Sequence, residues 1–236
     1  MDIDDAKRAV RERVWATLDE AGAVEPPGAA GHIPSFVGAD QAAALLAELG
    51  EWQRAQVIKA NPDRAQLPVR ERALAEGKFV YMAVPKIATL TPFYALDPAT
   101  IDRAAAESKT AKQLAPSVAV ENMQPVELVV CGTVAVNWLG VRIGKGAGYS
   151  DIELALLTEA GLIGPETTIV TTVHELQVLD EELPETEHDF SVDYIVTPEE
   201  IIQCGGAPRR PRGLIRDHLT EAKVAAIPVL RLRQDR

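Results

Sequence analysis

The chain is poor in cysteine. Cys131 and Cys204 are its only two, far apart in 236 residues. That count excludes a disulfide-stapled scaffold and offers no metal-type spacing, which fits a reducing compartment. Cys131 lies in an apolar run and is expected to be a buried thiol. Long apolar runs are missing too. The longest, over 128–141, is interrupted by Thr133 and Asn137, and it falls short of the roughly 20 residues that a membrane-spanning helix needs. Positive charge is scarce: 24 Lys and Arg stand against 35 Asp and Glu, a formal net charge of −11. A protein that grips nucleic-acid phosphates is more often basic, although a local basic pocket can still hold an anion. Internal repeats and low-complexity segments do not stand out. The first residues, Met1-Asp2-Ile3-Asp4-Asp5, are acidic and show no signal-peptide pattern. The expectation is a soluble cytoplasmic protein, with neither nucleic acid nor membrane as partner and no oligomeric state assigned.

A hydrophobic content of 47% allows one sizeable core. Ile3, Ala6, Val10, Val14 and Leu18 recur at near-helical spacing and predict an amphipathic helix over 3–21. Lys7 and Arg11, four apart, share one face of it. A Gly/Pro-rich connection over 24–36 leads to a second helix running from Gly38 through Leu49 and Trp52, with Asp40 as candidate cap. An alternation follows. A strand is predicted over 56–59, a helix over 68–76 with Pro68 in its first turn, and a strand over 78–84. Asp97-Pro98 reads as cap and first position of another helix. The apolar run 125–136 reads as a buried strand, centred on 126–130, and 152–160 as a helix stopped by Gly161. Runs over 168–173 and 194–196 read as strands, and Thr197-Pro198-Glu199-Glu200 has the spacing of a capping box that opens a helix through Ile202. Such alternation implies βαβ units and a mostly parallel sheet covered on both faces. Ligands of such sheets bind beyond the C-terminal strand ends.

The tail differs in composition. From Pro208 to Arg236 it has eight basic and three acidic residues. Leu214, Ile215, Leu219 and Ala222 keep a helical pattern, and Ile227-Pro228-Val229-Leu230 is apolar. The division expected is an α/β domain over 1–204 and a basic tail over 205–236 that folds back onto it. An interaction tail is the alternative.

The segment richest in chemistry is Arg142-Ile143-Gly144-Lys145-Gly146-Ala147-Gly148-Tyr149-Ser150-Asp151. Three glycines alternate between a strand and a helix, so backbone N–H groups can come close to a ligand at the positive end of the helix dipole. Arg142 and Lys145 add charge. The spacing matches neither G-x-x-x-x-G-K-[ST] nor G-x-G-x-x-G, and a ligand-free turn would also use glycine. Asp151 can hold a metal or merely cap the helix. Later, Glu187-His188-Asp189-Phe190-Ser191-Val192-Asp193 offers Asp189 and Asp193 as metal-binding or structural carboxylates.

With Lys7-Arg8-Ala9-Val10-Arg11, these segments make the chain resemble the 5-formyltetrahydrofolate cyclo-ligase family over roughly residues 5–203. The resemblance implies a three-layer α/β/α sandwich with a mainly parallel sheet. It implies an ATP- and Mg²⁺-dependent enzyme that makes 5,10-methenyltetrahydrofolate from 5-formyltetrahydrofolate. By the same resemblance Lys7, Arg8, Arg11, Arg142, Gly144, Lys145, Gly146, Ala147, Gly148 and Tyr149 contact ATP. Lys145, Arg142 and Tyr149 are catalytic, Arg11, Asp63 and Tyr149 face the folate, and Asp151 and Asp189 bind Mg²⁺. Arg142-Ile143-Gly144-Lys145-Gly146 with Gly148-Tyr149-Ser150-Asp151, then Thr172-Val173-His174 and Glu187-His188-Asp189, look like the branch of methenyltetrahydrofolate synthetase domain-containing proteins, and three positions depart from the usual family pattern. Ser150 stands where a second tyrosine is usual, Val136-Asn137 where Phe-Asp is usual, and Asp63 where a glutamate is usual. For that branch a different substrate, a thiamine-related one among them, or a non-catalytic metabolite-binding role stays open.

Other residues carry two readings each. His174, after a strand, suits either a phosphate or proton role or a structural contact. His188 reads as a surface residue, and His32 and His218 show no ligand spacing. Trp15 and Trp52 read as core. Trp138, just before the glycine loop, suits ring stacking. Lys59 and Lys86 follow strands and either line the cleft or are solvated.

Overall fold

The structure, a computed structural model, describes residues 2–232. Met1 and residues 233–236, the end of the expected basic tail, lie outside the described residues. In chain order the helices are α1 (Ile3–Glu20), α2 (Ala39–Leu46), α3 (Gly50–Arg54), α4 (Leu67–Ala75), α5 (Ser108–Leu114), α6 (Tyr149–Glu159), α7 (Glu221–Ala226) and α8 (Pro228–Arg231). The strands are β1 (Val57–Ala60), β2 (Phe79–Ala83), β3 (Phe93–Leu96), β4 (Ser117–Val118), β5 (Leu128–Cys131), β6 (Ala135–Asn137), β7 (Arg142–Ile143), β8 (Thr168–Thr172), β9 (Val178–Leu179), β10 (Tyr194–Val196) and β11 (Ile201–Gln203).

Eight strands form the main sheet in the order β11-β10-β8-β5-β1-β2-β3-β4. Its centre is parallel: β1 pairs with β2 and β5, β5 with β8, and β8 with β10. Antiparallel pairing is confined to the margins, β3 with β2 and β4 and β11 with β10. All four residues of β5 are buried, as expected of a strand covered on both faces. One core lies under α1, α2 and α4, with Leu18, Leu46, Trp52 and Val69. The other lies under α6 and the C-terminal segment, with Leu154, Leu157, Phe190 and Ile227. The fold is thus the expected α/β/α sandwich. No described helix is long and apolar enough to cross a membrane.

Several local expectations fail for identifiable reasons. The predicted second helix is two, because Leu49 turns extended before α3; this buries Trp52, whose Nε1 donates to Glu76 Oε2 at 2.7 Å. Asp40 does not cap α2; Gly38, in left-handed conformation, does. Asp97 makes a turn by accepting from Ala99 N, and the capping passes to Asp102. No strand was expected at β3, whose residues pair with β2. The 125–136 run is not one strand: β5 ends at Cys131, and β6 belongs to a second sheet ordered β7-β6-β9. Thr197 Oγ1 accepts from Glu199 N and Glu200 N, as a cap would. Yet Ile201–Gln203 pairs with β10 as a strand, because sheet pairing there overrides the local helix signal.

Candidate active site

The order of the main sheet reverses between β1 and β5: chain-sequential β2 lies on one side of β1, and β5 opens the other. A crevice forms where connections leave such a switch point in opposite directions. Asn61 and Asp63 follow β1, and Gly132 follows β5. A Cβ on Gly132 would stand 3.0 Å from Asp63 Oδ2 and from Gln66 Oε1, so a side chain there would crowd the crevice residue Asp63. The second sheet carries the chain from β6 through β7 to the glycine loop, which forms the crevice wall with Lys7, Arg11, Asp63 and Asp189.

Two glycines of the loop need their freedom. Gly146 has φ +94° and Gly148 φ +67°, while Gly144 lies outside that region. Gly148 is the N-cap of α6, so the helix starts earlier than predicted and Asp151 lies inside its first turn. Asp151 is therefore not the cap. Its Oδ1 lies 3.5 Å from Arg142 Nη1 and, though buried, accepts no hydrogen bond. Arg142 is itself buried. Its Nη2 donates to Gly132 O at 3.0 Å, and its guanidinium carbon lies 4.5 Å from the ring centre of Phe190. This arginine joins the end of β5, the loop and the 187–193 segment.

The helix α1 contributes both residues expected on one face. Arg11 Nε donates to Gly144 O at 2.7 Å, bracing the loop. Burial lowers its pKa, and Asp4, Asp189 and Asp151 pull it back up. Lys7 Nζ lies 2.5 Å from Asp189 Oδ2. Burial raises the Asp189 pKa, but the bonds from Lys7 and from the Thr186 amide and hydroxyl outweigh it and leave the carboxyl below its ordinary value. Lys145 Nζ lies 3.4 Å from Asp63 Oδ1 across the crevice. Arg8 is not brought in. It is exposed and bonds Asp5 at 2.5 Å one turn away on α1.

Beneath the loop runs a buried polar chain. Lys59 Nζ lies 2.6 Å from Glu153 Oε2 and donates to Asn61 Oδ1 at 2.5 Å. Asn61 Nδ2 then donates to Ser150 Oγ at 2.8 Å. Lys59 is thus neither solvated nor crevice-lining; it ties β1 to α6. Burial raises the Glu153 pKa, with Lys59 acting against it. Ser150, one of the departures, is part of this chain. Asn137, another, shapes the 138–141 turn: its Oδ1 accepts from Leu139 N and Val141 N while Nδ2 donates to Glu181 O. A carboxylate could not make that last bond.

Other candidates sit elsewhere. Asp193 is structural, accepting from Ile169 N and from Arg210 Nη2. His174 caps the turn at 175–177 by accepting from Leu176 N. Trp138 is exposed on its turn and does not line the crevice, and Lys86 is exposed. Cys131 is buried as expected, and burial raises its thiol pKa. His188 is exposed, but it lines the crevice and meets His218, with their Nδ1 atoms 3.2 Å apart. Two groups escaped sequence reasoning. Gln66 is fully buried, with Nε2 bonded to Thr172 Oγ1 and Oε1 unpartnered beside Gly132. Lys223 Nζ donates to Ala147 O in the glycine loop. Its only sequence signal is the basic surplus of the tail.

The chain is similar to known proteins in sequence and in fold. The family model described as the 5-formyltetrahydrofolate cyclo-ligase family matches residues 3–198. A methenyltetrahydrofolate synthase domain-containing protein of Mus musculus is 36% identical over 98% of this chain and 64% of its own length. Its Homo sapiens counterpart is 35% identical over 96% of this chain and 61% of its own length. The chain thus spans a little under two thirds of these relatives. In fold it is similar to Aquifex aeolicus 5,10-methenyltetrahydrofolate synthetase, with TM-score 0.55, 19% identity, and coverage of 92% of this chain and 100% of that one. The chain therefore belongs to an enzyme family, the 5-formyltetrahydrofolate cyclo-ligases.

Proposed function

We propose that the chain is an ATP-dependent cyclo-ligase that converts 5-formyltetrahydrofolate to 5,10-methenyltetrahydrofolate. The observation that carries this reading is the convergence of Lys7, Arg11, Arg142 and Lys145 on one glycine loop at the head of α6, in a chain of this family. In the reaction the formyl oxygen takes the γ-phosphoryl group, forming one P–O bond as the bond to ADP breaks. N10 then attacks the activated carbon. The former formyl oxygen leaves on phosphate, and the N10 proton is lost to that phosphate or to solvent.

Such a transfer needs alignment and charge neutralisation more than a covalent nucleophile. Lys145 and Arg142 are assigned to the charge on the moving phosphoryl group. The backbone from Gly144 to Gly148, with Lys7 and Arg11, is assigned to the phosphates. Donors held in place beforehand are worth a few kcal/mol each at a transition state, on the order of oxyanion-hole donors. Arg11, Asp63 and Tyr149 are assigned to the folate side, where the Asp63 carboxylate also steers Lys145. Arg8 takes no part. Magnesium fits Asp151 best, since its buried Oδ1 lacks a hydrogen bond and a hard cation takes carboxylate, phosphate and water oxygens together. Bound there, the ion would neutralise phosphate charge. Asp189 could join it only by releasing Lys7.

A second reading keeps the nucleotide and changes the substrate. It is favoured by Ser150, whose hydroxyl is bonded to Asn61 at a position the resemblance assigns to a tyrosine. The deciding experiment follows the absorbance of 5,10-methenyltetrahydrofolate with MgATP, using the wild type and Lys145→Ala. MgATP-dependent product that Lys145→Ala abolishes is the expected result. No product from protein that binds MgATP by calorimetry would sink the folate assignment and leave the second reading.

A further inference from the structure

The crevice continues past Gly148 into a second, mainly apolar compartment. Ile152 and Ala155 of α6 form one wall, and Leu214, Ile215 and Leu219 of the C-terminal segment form the other. Gly148, Asp151 and His188 line both compartments, so the two are contiguous. Lys223 stands at their junction. Besides its bond to Ala147 O, its Nζ lies 4.3 Å from the ring centre of Tyr149. Burial lowers its pKa, while Asp151 nearby raises it. The His188–His218 contact pins the same segment to the crevice rim. All these tail residues lie beyond residue 198, where the family match stops.

We propose that the C-terminal segment is a working part of the binding site: its compartment takes the base of the nucleotide whose phosphates lie on the glycine loop, and Lys223 is a further binding-site cation for those phosphates. The inference rests on the nucleotide reading given above. A ligand filling both compartments carries negative charge at one end and a largely apolar group at the other, as a nucleoside polyphosphate does with its phosphates and its base. Apolar side chains favour the ring by removing its faces from water. Lys223 now donates to a neutral carbonyl. Moving its ammonium to a phosphate oxygen on the same loop exchanges that bond for a charge-assisted one.

The test is calorimetric titration of the full chain with MgATP and, separately, with magnesium tripolyphosphate, which has the anion and no ring. Leu219→Glu and Ala155→Phe spoil the apolar compartment, Lys223→Gln removes the cation, and Lys145→Ala is the control for the glycine loop. Leu219 is only partly buried, so its variant carries the test if Ala155→Phe fails to fold. Leu219→Glu is expected to weaken ATP roughly tenfold and leave tripolyphosphate unchanged, whereas Lys223→Gln weakens both by about tenfold. Unchanged ATP affinity in Leu219→Glu, or unchanged affinity for both probes in Lys223→Gln, would overturn the proposal while Lys145→Ala still confirms the loop. Weakened 5-formyltetrahydrofolate with unchanged ATP in Leu219→Glu would also overturn it, by giving the compartment to the other substrate. A wild type that binds neither probe would overturn the nucleotide reading and this inference with it.

Discussion

Asp189 shows how one carboxylate couples the site to pH. It accepts from Lys7 Nζ and from both the amide and the hydroxyl of Thr186, so its folded pKa lies below the ordinary value. A depressed acid pKa contributes stability that is present above the unfolded pKa, about 3.9, and is lost as pH falls through the folded value. Unfolding free energy measured against pH should therefore show wild type more stable than Asp189→Asn at pH 7. The gap should close as the pH drops below about 4. A constant gap down to strong acid would mean that the carboxyl's charge is irrelevant. The same residue scale explains what a linear reading could and could not see. Lys7 and Arg11 were placed together by their four-residue spacing. Arg8, beside Lys7 in sequence, points to Asp5 on the outside because a helix turns each successive side chain by about 100°.

Between elements, the Lys59–Glu153 pair joins the central strand to the helix that carries the glycine loop. Both side chains are almost fully buried, at 0% and 5% exposure. Removing one partner of such a pair leaves an uncompensated buried charge, so Glu153→Ala should cost about 3–5 kcal/mol in denaturant unfolding. The double replacement Lys59→Met/Glu153→Leu should recover most of that loss. If the double variant were as unstable as Glu153→Ala, the pair itself, rather than the orphaned charge, would be the stabilising element. Element boundaries were least legible where caps compete. Asp97, Asp102 and Glu107 all have the chemistry to cap, and only packing of Ala105, Ala106 and Ala111 into the core selects the last two for that work. The hydroxyl of Thr197 bonds as a cap in either case. Pairing of Ile201–Gln203 with β10 decides for strand.

At the scale of the whole molecule, the C-terminal segment is part of the second core. Ile227 is fully buried there with Val229 and Leu230. Ile227→Ala should therefore lower global stability by about 2–5 kcal/mol, as core truncations do. It should move one cooperative transition rather than create a second; a separate early transition in calorimetry would show that the segment unfolds by itself. Read alone, the sequence determined the α/β class, the strands at the sheet centre, the helix carrying Lys7 and Arg11, and the glycine loop before α6. Each of these is written in local periodicity or in a residue type that the backbone itself requires. Only the tertiary structure decided that Asp63 faces Lys145, that Lys59 is buried against Glu153, that Asp151 meets Arg142 instead of capping, and that Lys223 reaches Ala147. Those contacts join residues distant in sequence. Their partners are set by sheet order and by the packing of both helical layers, which no short stretch of sequence encodes.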